Sequence, residues 1–256
     1  MSLVELPSRH TVSLIVQPAA EPNDLPPVLF VHGLANNRDV FASLLASLPT
    51  RKRIAYDLPG HGKSPLYTPF NLATLVSDCQ AILAHAGVDG EIDIVAHSGG
   101  TVIALALAAE LKSRVRALIL LGAPALPMPD LVSPAAALRA GGTSALLAAQ
   151  INALGADGRR DERVRSELEK MVLAQSTDGP CAVLESFSGF ALPQEIQARK
   201  SIVIYGDEDT FARPEDAEKL ASLLGGEAFR IPTCGHAMLL EKPEAVQEII
   251  HRALSA

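Results

Sequence analysis

Ser98, Asp209 and His236 are of the residue types that together turn an alcohol into a nucleophile, and each stands where an apolar run gives way to a loop. A serine hydroxyl attacks poorly until a base takes its proton, and histidine serves best when a carboxylate fixes its other ring nitrogen. The surroundings of Ser98 say most. The apolar run 92–95 ends abruptly in Ala96-His97-Ser98-Gly99-Gly100, and an alanine-rich apolar segment follows at once. This is the strand–turn–helix setting of a nucleophile elbow, where a strained backbone points the hydroxyl out of the turn. The residues two before and two after must be small because strand and helix crowd there; they are Ala96 and Gly100. An N-cap role for Ser98 would explain the serine alone, whereas the elbow also explains its small neighbours.

The same turn places the Gly99 N–H at a helix start, where a developing oxyanion is stabilised. A second donor is expected from the Leu34 N–H, after the run 28–31 and the pair His32-Gly33. His32 is read as shaping that loop, not as moving protons. The acid is sought after the run 202–205, in Gly206-Asp207-Glu208-Asp209. Asp209 fits better than Asp207, which stays as the alternative. His236 follows a short strand at 228–231 and a glycine-containing loop, and it precedes the last helix. Alone it would read as a loop residue with its bonds satisfied. The chain order serine, aspartate, histidine gives it catalytic weight. The segment 57–64 ends in Gly62-Lys63-Ser64 like a phosphate-binding loop, but that motif needs a glycine where Asp57 stands. Pro65 and Pro69 follow where its helix should run, so nucleotide binding is not expected.

These residues need a scaffold. Runs at 28–31, 54–56, 92–95, 117–121 and 202–205 are apolar without alternation, as parallel strands covered on both faces require. Helical spacing recurs at 38–48, 71–86, 99–112, 214–224 and 243–254, which gives the βα alternation of a doubly wound α/β sheet. Residues 11–16 read as an added antiparallel edge strand. From 124 to 193 no strand is expected; prolines open the stretch, and helices are expected at 135–153 and 159–175. An insertion at that place would overhang the carboxyl ends of the strands, where ligands bind in open α/β sheets.

Composition narrows the class. A chain of 256 residues with 48% hydrophobic content can bury a large core, and its formal net charge of −7 argues against a nucleic-acid partner. The basic piece Arg51-Lys52-Arg53 reads as a solvated loop. Cys79, Cys181 and Cys234 are widely spaced, which suggests no disulfide framework and no zinc site and fits a reducing, cytoplasmic setting. Neither a signal peptide nor a membrane span is expected.

Taken together, Val31-His32-Gly33, the segment 57–64, Ala96 to Gly100, Gly206 to Asp209 and Cys234 to Glu241 resemble the α/β-hydrolase superfamily, in its lipase, esterase and C–C hydrolase branches. The resemblance implies a core of 1–123 and 194–256 with a helical cap at 124–193. It implies Ser98 as nucleophile, His236 as base, Asp209 as acid, and Gly99 and Leu34 as oxyanion donors. The implied activity is hydrolysis of an ester-type bond in a small-to-medium, largely apolar molecule, with no metal or organic cofactor. C–C bond hydrolases, lactonases, thioesterases, perhydrolases and ligand sensors share such a scaffold. Epoxide hydrolases and haloalkane dehalogenases need an aspartate where Ser98 stands. Phe187 and Phe190 are the large apolar groups of the insertion, and Arg139, Arg159 and Arg160 read as surface charges.

Overall fold

Alternate residues of the apolar runs face opposite sides of one sheet, and each side has its own core. Leu29, Val31, Ile94, Ala96, Leu118 and Leu120 belong to one buried cluster. Val28, Phe30, Val95, Ile119 and Leu121 belong to the other. Burial on both faces is why these strands carry no polar alternation.

The computed structural model describes residues 2–67 and 70–255; Pro69, named above, lies outside them. Among the described residues the strands are β1 (Ser2–Glu5), β2 (Thr11–Gln17), β3 (Val28–Val31), β4 (Arg53–Tyr56), β5 (Ile92–His97), β6 (Val115–Leu121), β7 (Lys200–Gly206) and β8 (Glu227–Ile231). The helices are α1 (Ala42–Ser47), α2 (Leu72–His85), α3 (Gly100–Leu111), α4 (Val132–Asn152), α5 (Ala156–Arg160), α6 (Glu162–Leu173), α7 (Asp178–Ser186), α8 (Pro214–Leu223), α9 (Met238–Glu241) and α10 (Pro243–Ser255). The sheet order is β1-β2-β4-β3-β5-β6-β7-β8. Strands β1 and β2 run antiparallel to their neighbours, and the rest are parallel. Residues of α2, α3 and α8 cover one face, and residues of α1 and α10 cover the other.

The chain leaves β3 for β4 on one side and returns to β5 on the other. The loops after β3 and β5 therefore part in opposite directions and leave a crevice at the carboxyl ends of the strands. Leu34 follows β3, Ser98 follows β5, Asp209 follows β7 and His236 follows β8. Four separate loops thus converge on one edge of the sheet.

Several local expectations are corrected. Strand β2 is antiparallel but is not the edge, because β1 pairs with its outer side. The first turn of the segment at 38–48 is 3-10 helix over Arg38–Phe41. The expected helix at 135–153 begins earlier, at Val132, and is interrupted at Gly142, whose φ of 66° and ψ of −164° are not helical. The expected helix at 159–175 is two, α5 and α6, divided at Asp161, whose side chain caps α6. Helices α7 and α9 carry no strong periodic signal of their own; both are short pieces held by packing.

Arg51 is the clearest departure. It is 4% exposed, not a solvated loop residue. Its Nη1 lies 3.1 Å from Asp93 Oδ2, and Nη2 donates to the Leu254 carbonyl at 2.5 Å. Arg116 joins the same carboxylate, with Nε at 2.9 Å from Oδ1, and also donates to the Leu254 carbonyl at 3.1 Å. Burial pushes the Asp93 carboxyl up and the Arg51 guanidinium down, so desolvation opposes both charges. Only their mutual contacts and the backbone partners keep the cluster tolerable. The cluster ties β5 and β6 to the end of α10 at the amino edge of the sheet, opposite Ser98. Asp93→Ala would leave two guanidinium groups without their buried partner and should lower the unfolding free energy by about 3–5 kcal/mol. Urea unfolding measures this; a loss below about 1 kcal/mol would show that the cluster holds nothing together.

Candidate active site

Ser98 has a φ of 54°, in the left-handed region that side-chain-bearing residues avoid. The turn is held on both sides. The Ser98 N–H donates to the Leu121 carbonyl at 2.8 Å, and the Ser98 carbonyl accepts from the Thr101 N–H at 2.9 Å and the Thr101 hydroxyl at 2.6 Å. Close approach explains the glycines around it. A Cβ on Gly100 would stand 2.4 Å from the Val31 carbonyl oxygen, and one on Gly33 would stand 2.5 Å from Ser98 Cβ. The loop after β3 and the start of α3 therefore touch backbone to backbone.

Two other loops deliver partners for the hydroxyl. Ser98 Oγ lies 2.7 Å from His236 Nε2, and His236 Nδ1 lies 2.7 Å from Asp209 Oδ2. A carboxylate only accepts, so Nδ1 carries the hydrogen and Nε2 is left to accept from the serine. The other Asp209 oxygen, Oδ1, accepts from the Phe211 and Ala212 N–H groups at 2.8 and 2.9 Å, which fixes the carboxylate from behind. Asp207 stands elsewhere: its Oδ2 is 3.6 Å from Arg230 and its Oδ1 is 3.4 Å from the Cys234 N–H. Ser98, His236 and Asp209 are thus brought together, and Asp207 is not among them.

Leu34 and Gly99 both line the cavity above Ser98. A Cβ on Gly99 would be 3.3 Å from Leu34 Cγ, so the two residues are adjacent. Among the described residues neither backbone N–H is taken by a protein acceptor. His32 lies behind them. Its Nε2 accepts from the Leu58 N–H at 2.8 Å and its Nδ1–H donates to the Gly33 carbonyl at 2.8 Å, which sets the shape of the loop. In the segment 57–64 the Asp57 carboxylate accepts from the Arg38 and Lys63 N–H groups at 2.9 and 3.0 Å, so that segment braces the same loop.

The cavity measures about 340 Å³. Leu34, Met128, Leu138, Leu146, Leu184 and Phe187 supply much of its apolar wall, and the polar side chains on it are Ser98, His236 and Gln150. Phe187 is present as expected; Phe190 packs against the core instead. Arg139 pairs with Glu185 at 2.9 Å, and Arg139, Arg159 and Arg160 do not line the cavity. Among the described residues no group of three or more His, Cys, Asp or Glu is placed to hold a metal, and no helix is long and apolar enough to cross a membrane.

Sequence reasoning missed five contributors. Gly122 follows β6 with a φ of 57°, and a Cβ there would lie 3.2 Å from the His236 ring; a glycine ending an apolar run was its only signal. Phe211 sets its ring edge to face against His236, with centroids 5.0 Å apart. Glu241 accepts from the N–H groups of Gly155, Gly235 and Ala237 at 2.9, 3.1 and 3.1 Å, and the His236 N–H donates to the Ala153 carbonyl at 2.8 Å. Glu208 accepts from the Ala156 N–H at 2.5 Å. The loop bearing His236 is thereby fastened to the turn between α4 and α5. Gln150 is the fifth.

Three histidines are buried around the site without a charged role. Burial pushes His32 and His97 down to about 4 and His61 down to about 3, against an ordinary value of 6.5. The His97 Nε2–H donates to the His236 carbonyl at 2.8 Å. In the unfolded chain these rings regain their ordinary pKa, so below about pH 6.5 unfolding takes up protons and stability falls with falling pH. Each ring contributes up to about 1.4 kcal/mol per pH unit across the window from about 6.5 down to its folded value. Urea unfolding at steps between about pH 7 and 5 should show this decline, and His61→Gln should reduce the slope by about one proton; an identical slope would refute it.

The fold has close counterparts. An esterase from Thermogutta terrifontis superposes with a TM-score of 0.89 at 22% identity, covering 100% of this chain and 98% of that one. An enol-lactonase from Burkholderia xenovorans does so with a TM-score of 0.89 at 19% identity, covering 100% of both chains. In sequence, a lipase of Mycobacterium tuberculosis is 38% identical over 94 residues, which is 37% of this chain and 36% of that protein. The chain thus aligns with little more than a third of the length of that curated relative. The alpha/beta hydrolase family model matches residues 28–249, from the first parallel strand into the last helix. With that span and this sheet, the chain belongs to the alpha/beta hydrolase family.

Proposed function

We propose that this protein is a serine hydrolase that cleaves an ester-type bond of a neutral, small-to-medium, largely apolar molecule. The observation that carries this reading is the chain of two 2.7 Å contacts, Ser98 Oγ to His236 Nε2 and His236 Nδ1 to Asp209 Oδ2, at an apolar cavity. In the proposed reaction His236 takes the Ser98 proton as Oγ attacks the substrate carbonyl carbon. Asp209 keeps the ring oriented and offsets its positive charge. The carbonyl oxygen, now an oxyanion, accepts from the Gly99 and Leu34 N–H groups, each contributing about 3 kcal/mol in the transition state. Collapse of the intermediate expels the alcohol, which takes the proton from His236. Water then attacks the acyl-serine with the same base, releasing the acid and restoring Ser98.

In this reading residues 124–193 form a cap and residues 1–123 and 194–256 the core. Support for the cap comes from a separate buried cluster of Leu146, Leu154, Val164, Leu168 and Val172 that packs onto Ala35 and Ala237 of the core, and from the walls residues 124–193 lend to the cavity. The ester-cleaving names borne by the lipase and esterase relatives agree with the chemistry. The three buried, free cysteines support a reducing, cytoplasmic setting.

The test is hydrolysis of p-nitrophenyl butyrate together with fluorophosphonate labelling. Ser98→Ala should abolish labelling and lower kcat by about 10⁴-fold or more. Asp209→Asn should lower kcat by about 10⁴-fold, whereas Asp207→Asn should stay within about threefold of the wild type. Undiminished turnover in Ser98→Ala, or a larger loss in Asp207→Asn than in Asp209→Asn, would overturn these roles.

A further inference from the structure

Gln150 is the polar side chain at the cavity that the proposed reaction leaves unused. It is 9% exposed and lines the cavity together with Ser98 and His236. Among the described residues its side-chain amide has no hydrogen-bond partner. Its amide atoms are not among the fully enclosed unpaired ones, so they are reached from the cavity and are open to a partner placed there. Leu146, one turn earlier on the same helix, meets the cavity with a hydrocarbon side chain, and a methionine would fill the Gln150 position with similar volume.

The backbone that carries the amide is also held beside the proposed base. Gln150 lies one turn before Ala153, whose carbonyl holds the His236 N–H at 2.8 Å. The amide and the proposed base are therefore referenced to the same stretch of backbone. No Asp, Glu, Lys or Arg lines the cavity among the described residues, so its partner there carries no charge that the wall would neutralise.

We propose that Gln150 determines specificity: its amide hydrogen-bonds a neutral carbonyl or hydroxyl oxygen borne by the otherwise apolar part of the ester that fills the cavity. This rests on the acyl-transfer reading above. A site built to hydrogen-bond an oxygen discriminates strongly against the analogue that lacks it, because its own polar group is then left unpaired. The preferred substrates are oxygenated chains, and plain alkyl esters are poorer ones.

The experiment compares p-nitrophenyl octanoate with its keto and hydroxy derivatives at each successive acyl carbon, and octyl acetate with the same groups along its alcohol chain. In the wild type, at least one position should raise kcat/KM about tenfold or more over the unsubstituted parent. In Gln150→Met and Gln150→Leu that preference should fall to within about twofold, mainly through KM, with circular dichroism and Tm reporting that each variant is folded. Preference at no position, or a preference that survives both substitutions, overturns the proposal. A second arm needs no turnover: calorimetric binding of octanamide and its keto derivatives to Ser98→Ala, with and without Gln150→Met. At least one keto derivative should bind about tenfold more tightly only where Gln150 is present; equal binding of all of them overturns the proposal. If wild type neither labels with fluorophosphonate nor hydrolyses any ester, the acyl-transfer reading has failed and this second arm alone decides the role of Gln150.

Discussion

The left-handed backbone of Ser98 is the constraint on which the rest of the site depends. A side chain in that conformation costs roughly 1–2 kcal/mol, so the turn persists only because its surroundings leave no alternative. Its amide is bonded to β6, its carbonyl is bonded twice to Thr101, and the β3 backbone stands against it where Gly33 and Gly100 have no side chains. Strand β5 delivers this turn and is itself pinned at the far edge of the sheet, where Asp93 is held by Arg51 and Arg116. One short strand thus carries an electrostatic anchor near one end and the strained turn beyond the other.

The histidine side is assembled differently. Nothing in the local geometry of residues 232–237 would hold His236 in place by propensity alone. Its position comes from two partners far away in sequence, Asp209 on the ring and the Ala153 carbonyl on the backbone, and from nearby Glu241 beneath the neighbouring amides. Gly122 and Phe211 close the remaining sides. The serine turn is held by backbone crowding as well as hydrogen bonds, whereas the histidine loop is held chiefly by polar contacts.

That contrast explains what could be read from the sequence. Apolar runs buried on both faces announce parallel strands, so β3 to β7 were legible, and the small residues flanking Ser98 made the elbow legible too. Asp209 and His236 were legible because loops after strands are the places where such residues can meet. Strand β1 was not, since four residues at a chain end carry little pattern. The burial of Arg51 was hidden because its partners, Asp93 and the Leu254 carbonyl, are distant in sequence. Gln150 looked like one more polar position on a helix, and only the fold shows that it faces a cavity. Glu241 lay inside a recognised motif with two of its amide partners, Gly235 and Ala237, yet the third, Gly155, appears only once the turn at 153–156 is laid against it.

The interruption of α4 at Gly142 divides the helical segment into two parts with different obligations. The part after it runs into the 153–156 turn and is fastened to the loop of His236, so any shift there is transmitted to that ring. The part before it contributes Leu138 to the cavity wall without bonds to that loop. Residues 132–141 thus border the cavity with no hydrogen bond to the His236 loop, residues 143–152 end in the turn that holds it, and Gly142 is the joint between a stretch that only walls the cavity and one that is tied to the ring.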